Sequence, residues 1–269
     1  MSAPASPPLP PARTGAPFRA SAGVRAAGVL LALYTLYALS QLDFSWQRFS
    51  EGLGHGARLI GKMFPPDLDK WDILGKGIVE SLQIAVLATA LGIALSLPVG
   101  FLGARNLMPA WVTWIARFIV AVCRSLHPVI VAIIFVKAVG FGALAGVLAL
   151  TVASIGFIGK LFSEAIEEIS PKQVEAVRAT GASFMNMIAF GVLPQVFSRF
   201  IGFATYQLDS NLRNSTMVGI VGAGGIGGAL FSAFQRFDYG FVFTILATIV
   251  AIIVLAEIGT NALKKALDV

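Results

Sequence analysis

The strongest constraint in this sequence is a set of predominantly apolar runs, each long enough to cross a bilayer. A spanning helix needs about 20 apolar residues. Runs of that order occupy residues 22–42, 78–101, 111–139, 143–162, 195–221 and 241–263. In lipid every backbone N–H and C=O needs an internal partner, and a single run achieves that only as a helix. Composition agrees. Of 269 residues, 57% are hydrophobic and 13% charged, against about 25% charged in a soluble domain. The expected fold class is all-α, a polytopic transmembrane helical bundle of about six spans. A soluble enzyme and a disordered regulator are excluded.

Between the runs lies a simple organisation. Residues 1–20 are rich in Pro, Ala and Ser and predict a disordered cytoplasmic tail. Residues 21–42 follow Arg13 and Arg19 and read as a retained first span, although a signal peptide shares that pattern. Residues 43–77 hold most of the outer charges and predict a periplasmic or extracellular segment. Within it, residues 45–63 suit a short amphipathic helix stopped by Pro65 and Pro66. Residues 78–269 form a five-span core with a charged loop at about 163–194. Pro128 interrupts the third span and predicts a kink.

The net charge of +6 would suggest nucleic acid in a soluble chain. Here basic residues flank the spans and set topology, so no nucleic-acid partner is expected. With six spans and both termini cytoplasmic, eleven basic residues fall inside and seven outside. Arg124 and Arg213 are left within the membrane. A single cysteine, Cys123, allows no intrachain disulfide, and two distant histidines, His55 and His127, offer no metal site. His127 reads as a satisfied interior histidine.

Two glycine motifs are decoys. Residues 56–62 match the first seven positions of a phosphate-binding loop, but Met63 stands where Ser or Thr must hold Mg²⁺. Residues 222–227 match a dinucleotide fingerprint without a βαβ unit or an acidic residue some 20 positions on. That run is better read as a turn where backbones pack closely.

The charged loop reads Glu175-Ala176-Val177-Arg178-Ala179-Thr180-Gly181, then nine residues, then Gly191-Val192-Leu193-Pro194. On its own it suits an amphipathic helix, a bend at glycine, and a new helix started by proline. The spacing resembles the cytoplasmic loop of ABC-importer permeases, which reads Glu-Ala-Ala, three residues, Gly, nine residues, Ile-x-Leu-Pro. Val177 replaces the second Ala and Gly191 the Ile, which removes an apolar anchor and predicts a looser turn. The resemblance implies the type I importer architecture, with a methionine-importer-like transmembrane fold. It also implies a coupling helix docked on a separate ATPase. Glu175, Ala176, Arg178, Gly181, Leu193 and Pro194 would then be the ATPase-coupling residues. Ala176 and Gly181 would permit close approach, with Glu175 a polar contact and Arg178 a rim charge. Glu164, Glu167 and Glu168 read as a solvated helix face beside this loop.

Further segments are similar to the phosphonate permease subfamily. They include Phe64-Pro65-Pro66-Asp67 and Ser210-Asn211-Leu212-Arg213-Asn214-Ser215-Thr216, within a likeness covering residues 60–269. The fifth span carries too many polar groups for a lipid-facing helix. An ionisable residue at bilayer depth costs at least ~2.5–3.5 kcal/mol and normally faces an interior or an aqueous path. Gln207, Asn211 and Asn214 share one helical face, while Asp209 and Arg213 can pair at i, i+4. Arg124, Gln207, Asp209, Asn211, Arg213 and Asn214 are therefore the candidate substrate-pathway residues. Arg213 either lends the path a positive potential suited to phosphate-like oxygens or is neutralised by Asp209 as a packing pair. Arg124 either lines the path or binds carbonyl groups of another span.

The expected function is the permease subunit of an ATP-driven ABC importer for phosphonates, phosphite or phosphate esters, in the bacterial inner membrane. The chain itself is expected to be no enzyme, with no catalytic residue, metal or cofactor. ATP and Mg would be bound by the partner ATPase. The resemblance implies a homodimer, two ATPase subunits, a periplasmic or lipid-anchored binding protein, and membrane lipid. The same machine with another cargo such as methionine is the nearest alternative. An ion-coupled secondary transporter using Asp209 or Glu257 is the alternative from another class.

Overall fold

The computed structural model describes residues 22–42 and 45–266. The expected tail over residues 1–20 lies outside them. The chain divides into two compact units, Met1–Arg58 and Leu59–Val269. In the first unit, α1 (Ala22–Ser40) is a 19-residue apolar helix with no buried residue. A largely apolar helix with no buried residue suits contact with lipid. Helix α2 (Trp46–Lys62) begins in this unit and ends before Pro65.

The second unit holds the core. Helix α3 (Trp71–Gly103) has 33 residues, about 50 Å of helix against a hydrocarbon core of ~30 Å. It starts at Trp71, seven residues before the expected position 78, so its first two turns fall within the segment assigned outside the membrane. Then come α4 (Ala110–Ser125), α5 (Pro128–Val139) and α6 (Ala143–Glu167). Helices α7 (Pro171–Ala179) and α8 (Phe184–Met187) and a π-helical turn (Ile188–Val192) form the loop. Helices α9 (Leu193–Ile220), α10 (Ile226–Gln235) and α11 (Tyr239–Ala266) complete the chain. Five helices among the described residues are long and apolar enough to cross a membrane, or six if α4 and α5 count as one bent span.

That bend is 91°, a break where the sequence suggested a kink. Pro128 occupies the first turn of α5 rather than a helix interior, where its missing N–H costs nothing. His127 caps the new helix, its ring nitrogen accepting from the Val129 N–H at 3.4 Å. It is exposed, not the interior histidine expected.

The α3–α6 crossing is the centre of the core. Along α3, Ser81, Ala85, Ala88, Gly92, Ser96 and Gly100 recur every three or four residues and are all buried. Gly92 and Gly100 of this stripe face α6, while Ser81 accepts from the Ile226 N–H of α10. In lipid no hydrophobic gain separates helix contact from tail contact, so association rests on close packing through small residues. A methyl group at Gly92 would collide with the Ser154 side chain, and one at Gly100 would sit 2.7 Å from Phe162. At the far end of α9 the turn through Gly222, Gly224 and Gly225, all at positive φ, folds back so tightly that a side chain at Gly227 would strike the Thr216 carbonyl.

The segment before α3 is tied to the start of α11. Lys70 bridges Asp67 (2.7 Å) and Asp238, and Thr244 donates to the Asp67 carbonyl at 2.7 Å. The Lys70 hydrogen bond holds the Asp67 carboxyl below its usual range. Asp238, then Asp67, hold the Lys70 ammonium above its own. Asp67's contribution is lost only as pH falls through its lowered value, and Lys70's only as pH rises through its raised one. Between the ordinary carboxylate and ammonium ranges both contributions are fully present.

Overpacking this crossing is expected to be costly. Gly92→Val should lower the stability of the purified protein by about 1–3 kcal/mol. Gly75→Ala, with nothing within 4 Å of the added carbon, should be neutral or slightly stabilising. Thermal unfolding in detergent checks the pair, and equal stabilities would contradict the close crossing.

Candidate functional site

Two regions carry the polar residues that the sequence singled out. The first is the loop between α6 and α9. Pro171 opens α7 at its first turn, and Thr180 and Gly181 close it. Gly181 adopts φ +78° and its N–H donates to the Arg178 carbonyl at 3.0 Å. A side chain there would meet open space. Glycine is thus required by its left-handed backbone, not by a close neighbour on this chain. Glu175, Ala176 and Arg178 are exposed along α7, Leu193 is half-buried and Pro194 exposed at the start of α9. Ser183 caps α8 through the Asn186 N–H at 3.4 Å.

Gly191 does not loosen the turn as expected. It is buried, and a methyl group there would lie 3.4 Å from the Val174 Cα and 3.6 Å from a Val177 methyl. Its missing side chain lets the α7 backbone close onto the π-helical turn. Glu164 and Glu168 fit the expected solvated face, while Glu167 is more structural. Arg117 pairs with Glu167 at 2.7 Å, the Arg105 N–H donates to the same carboxylate at 2.7 Å, and Asn106 donates to the Ile166 carbonyl at 2.7 Å. Glu168 pairs with Arg199 at 2.6 Å and Glu164 with Lys160 at 2.5 Å. Beneath α7 lies a cavity of about 390 Å³ whose lining includes Glu167, Glu175, Arg178 and Met187. Phe184 and Met185 stand exposed beside it. The sequence reading missed them. Their apolar character gives no separate signal in a run that also holds Met187, Ile188 and Phe190.

The second region is α9. Here the candidates separate. Gln207 and Asn211 are 4% and 0% exposed. The Gln207 amide donates to Ser154 Oγ at 2.9 Å and to Asn211 Oδ1 at 3.0 Å. The Asn211 amide donates to Thr89 Oγ1 and Ser154 Oγ, both at 2.9 Å. Thr89 and Ser154 in turn donate to carbonyls one turn back, Ala85 and Leu150, at 2.7 Å. The cluster joins α3, α6 and α9 in the packed interior, so these two amides line no open path in this conformation. Asn214 is half-buried and donates to Ser210 Oγ at 3.3 Å.

Asp209 and Arg213 form the anticipated pair, at 2.5 Å. The partners are unequally placed. The Arg213 side chain is 43% exposed and that of Asp209 14%. The second Asp209 oxygen is buried and has no partner within the described residues. Arg213 shares the exposed face of α9 with Tyr206 and Met217, and Tyr206 stacks on Phe157 of α6 at 5.2 Å. Arg124 is exposed at the α4–α5 break, and its stem covers Gly156, where an added carbon would lie 2.8 Å from it. Gly156 and Phe157 are consecutive, so Arg124 and Tyr206 lie against the same turn of α6.

Asn211→Leu is expected to lower stability by about 1–2 kcal/mol through orphaned partners. Cargo preference should stay as it was. Unfolding temperature and competition uptake together check this; a stable variant with altered preference would return Asn211 to the pathway.

The family of binding-protein-dependent transport system inner membrane components matches residues 96–269. The phosphite transport system permease protein PtxC of Stutzerimonas stutzeri is 41% identical, over 80% of this chain and 78% of that protein. The phosphate-import permease protein PhnE of Mycolicibacterium smegmatis is 38% identical, over 87% of this chain and 44% of that protein. A chain of the MetNI methionine ABC transporter in an inward-facing conformation superposes with a TM-score of 0.66 at 26% identity, covering 74% of this chain and 98% of that one. The chain belongs to the binding-protein-dependent transport system inner membrane component family, as a multi-pass permease subunit of an ABC importer.

Proposed function

We propose that this permease carries phosphorus oxyanions, the class of phosphonate, phosphite and phosphate esters, into the cell. The observation that carries the cargo reading is Arg213, an exposed guanidinium about two turns from the end of a spanning helix. An ionisable group there is costly unless it meets water or a charged solute. A guanidinium offers planar paired donors that fit tetrahedral oxyanions. Likeness to phosphite and phosphate permeases supports the same class. Asp209 holds part of the Arg213 charge, which favours passage over tight retention. Arg124 and Asn214 belong to the same proposed path.

Energy enters through α7. Its exposed Glu175, Ala176 and Arg178, with Phe184 and Met185, form a mixed polar and apolar face. That face suits a cleft in a cytoplasmic ATPase that binds ATP and Mg. Closure of the ATPase moves α7, and the spans follow. Both termini are then cytoplasmic, and the Lys70 clamp is outside, toward a binding protein. A second copy of the chain completes the path.

Two substitutions test this reading in proteoliposomes holding the ATPase and binding protein. Gly181→Val forces a β-branched residue into a left-handed backbone and should cut ATP-driven uptake about tenfold. Gly181→Asn, which tolerates that backbone, should keep most of it. Undiminished uptake in the valine variant would remove the coupling assignment. Arg213→Gln should raise the half-saturating concentration of phosphite about fivefold or more, the loss of one charge-assisted hydrogen bond. Arg213→Lys should fall between. Unchanged uptake, or methionine outcompeting phosphite, would overturn the cargo.

A further inference from the structure

The two ends of the loop are joined by one side chain. Gln195, in the first turn of α9, accepts from the Ser170 N–H through Oε1 at 2.9 Å. The same amide donates through Nε2 to the Gly191 carbonyl at 2.6 Å. Ser170 caps the start of α7, and Gly191 lies in the π-helical turn that leads into α9. One half-buried amide therefore reaches back to Ser170, 25 positions earlier in the chain, while holding Gly191 in its own turn. One turn further along α9, Arg199 makes a parallel link to Glu168 at 2.6 Å. That ion pair is more than half exposed on both sides and contributes little. The glutamine, whose donor and acceptor are both used, fixes the geometry.

The location gives this amide a purpose. Residues 180–192 separate α7 from α9 and include the π-helical turn, a rare conformation that often sits at functional points. Left alone, such a segment yields when α7 is pushed. Gly191 already brings α7 to within contact of the turn through Val174 and Val177. We propose that Gln195 is a positioning residue for coupling: it pins the start of α7 to the start of α9, so that a displacement of α7 is delivered to α9 as a rigid-body movement. Helix α9 carries Asp209, Arg213 and the Gln207–Asn211 cluster. A pinned lever thus moves the path and the interior seam together. Without the pin, movement of α7 is absorbed in residues 180–192 and ATP is spent without transport. This inference rests on the assignment of α7 as the ATPase contact.

The test uses the assembled complex in proteoliposomes, with uptake and ATP hydrolysis measured on the same vesicles. Gln195→Met keeps length and loses both hydrogen bonds. Gln195→Glu keeps an acceptor for Ser170 but cannot donate to Gly191. Uptake per ATP should fall about fivefold or more in the methionine variant, the low end for two lost hydrogen bonds, and less in the glutamate variant. Hydrolysis should persist. Equal uptake per ATP in all three complexes would overturn the pin. Hydrogen exchange gives a second readout that needs no transport. Peptides covering 170–179 should exchange about fivefold faster in Gln195→Met, while α6 and the distal part of α9 stay protected. Unchanged exchange in that segment would also overturn it. If Gly181→Val uncouples and Gln195→Met does not, the pin fails and the coupling reading survives. If the valine variant transports normally, the coupling reading itself has failed.

Discussion

Everything in this permease depends on how closely α3 and α6 approach. Gly92 and Gly100 remove side-chain bulk from one face of α3, and α6 lies directly against them through Ser154 and Phe162. In a membrane this closeness substitutes for the hydrophobic driving force of a soluble core. It also brings Thr89 and Ser154 together, where they receive the amides of α9. The third helix is thus held by hydrogen bonds that exist only because the first two are so near. Polar groups in that seam have no water to turn to, so their mutual satisfaction also sets the register of α9.

The register of α9 has consequences at both ends. Toward one end it leaves Arg213 on the exposed side, tied to Asp209. At the other it places Gln195 and Arg199 opposite the junction of α6 and α7. The end of α6 is itself held by Arg117, Arg105 and Asn106. Loop and span are therefore continuous mechanical parts, joined through residues 180–192. A transporter of this kind needs few reactive groups. It needs a stiff path from the surface that is pushed to the helix that moves.

Much of this was legible in the sequence. Run lengths and missing charges predicted the helical membrane class, Pro65 and Pro66 the end of α2, and the Glu175 to Pro194 spacing the family. Other features were hidden for physical reasons. Gln207 and Asn211 looked like path residues because polarity at depth points to water or to a partner with equal force. Only the positions of Thr89 and Ser154, over 50 residues away in the chain, decide between them. Pro128 has the same ambiguity, since proline kinks a helix from inside and starts one from its first turn. The sharp break and the cap by His127 select the second. Gly191 was read as a lost anchor because its neighbour, Val174, is distant in sequence. Gln195 follows the family motif by one residue and carries no signal of its own.

The central claim is that movement driven by ATP, acting through this loop, carries a phosphorus oxyanion inward. It is tested most directly by labelled phosphite uptake into proteoliposomes holding this chain, its ATPase and its binding protein. The account predicts uptake that requires internal ATP, survives a protonophore and is not competed by methionine. Uptake that proceeds without ATP and collapses with the proton gradient would contradict it.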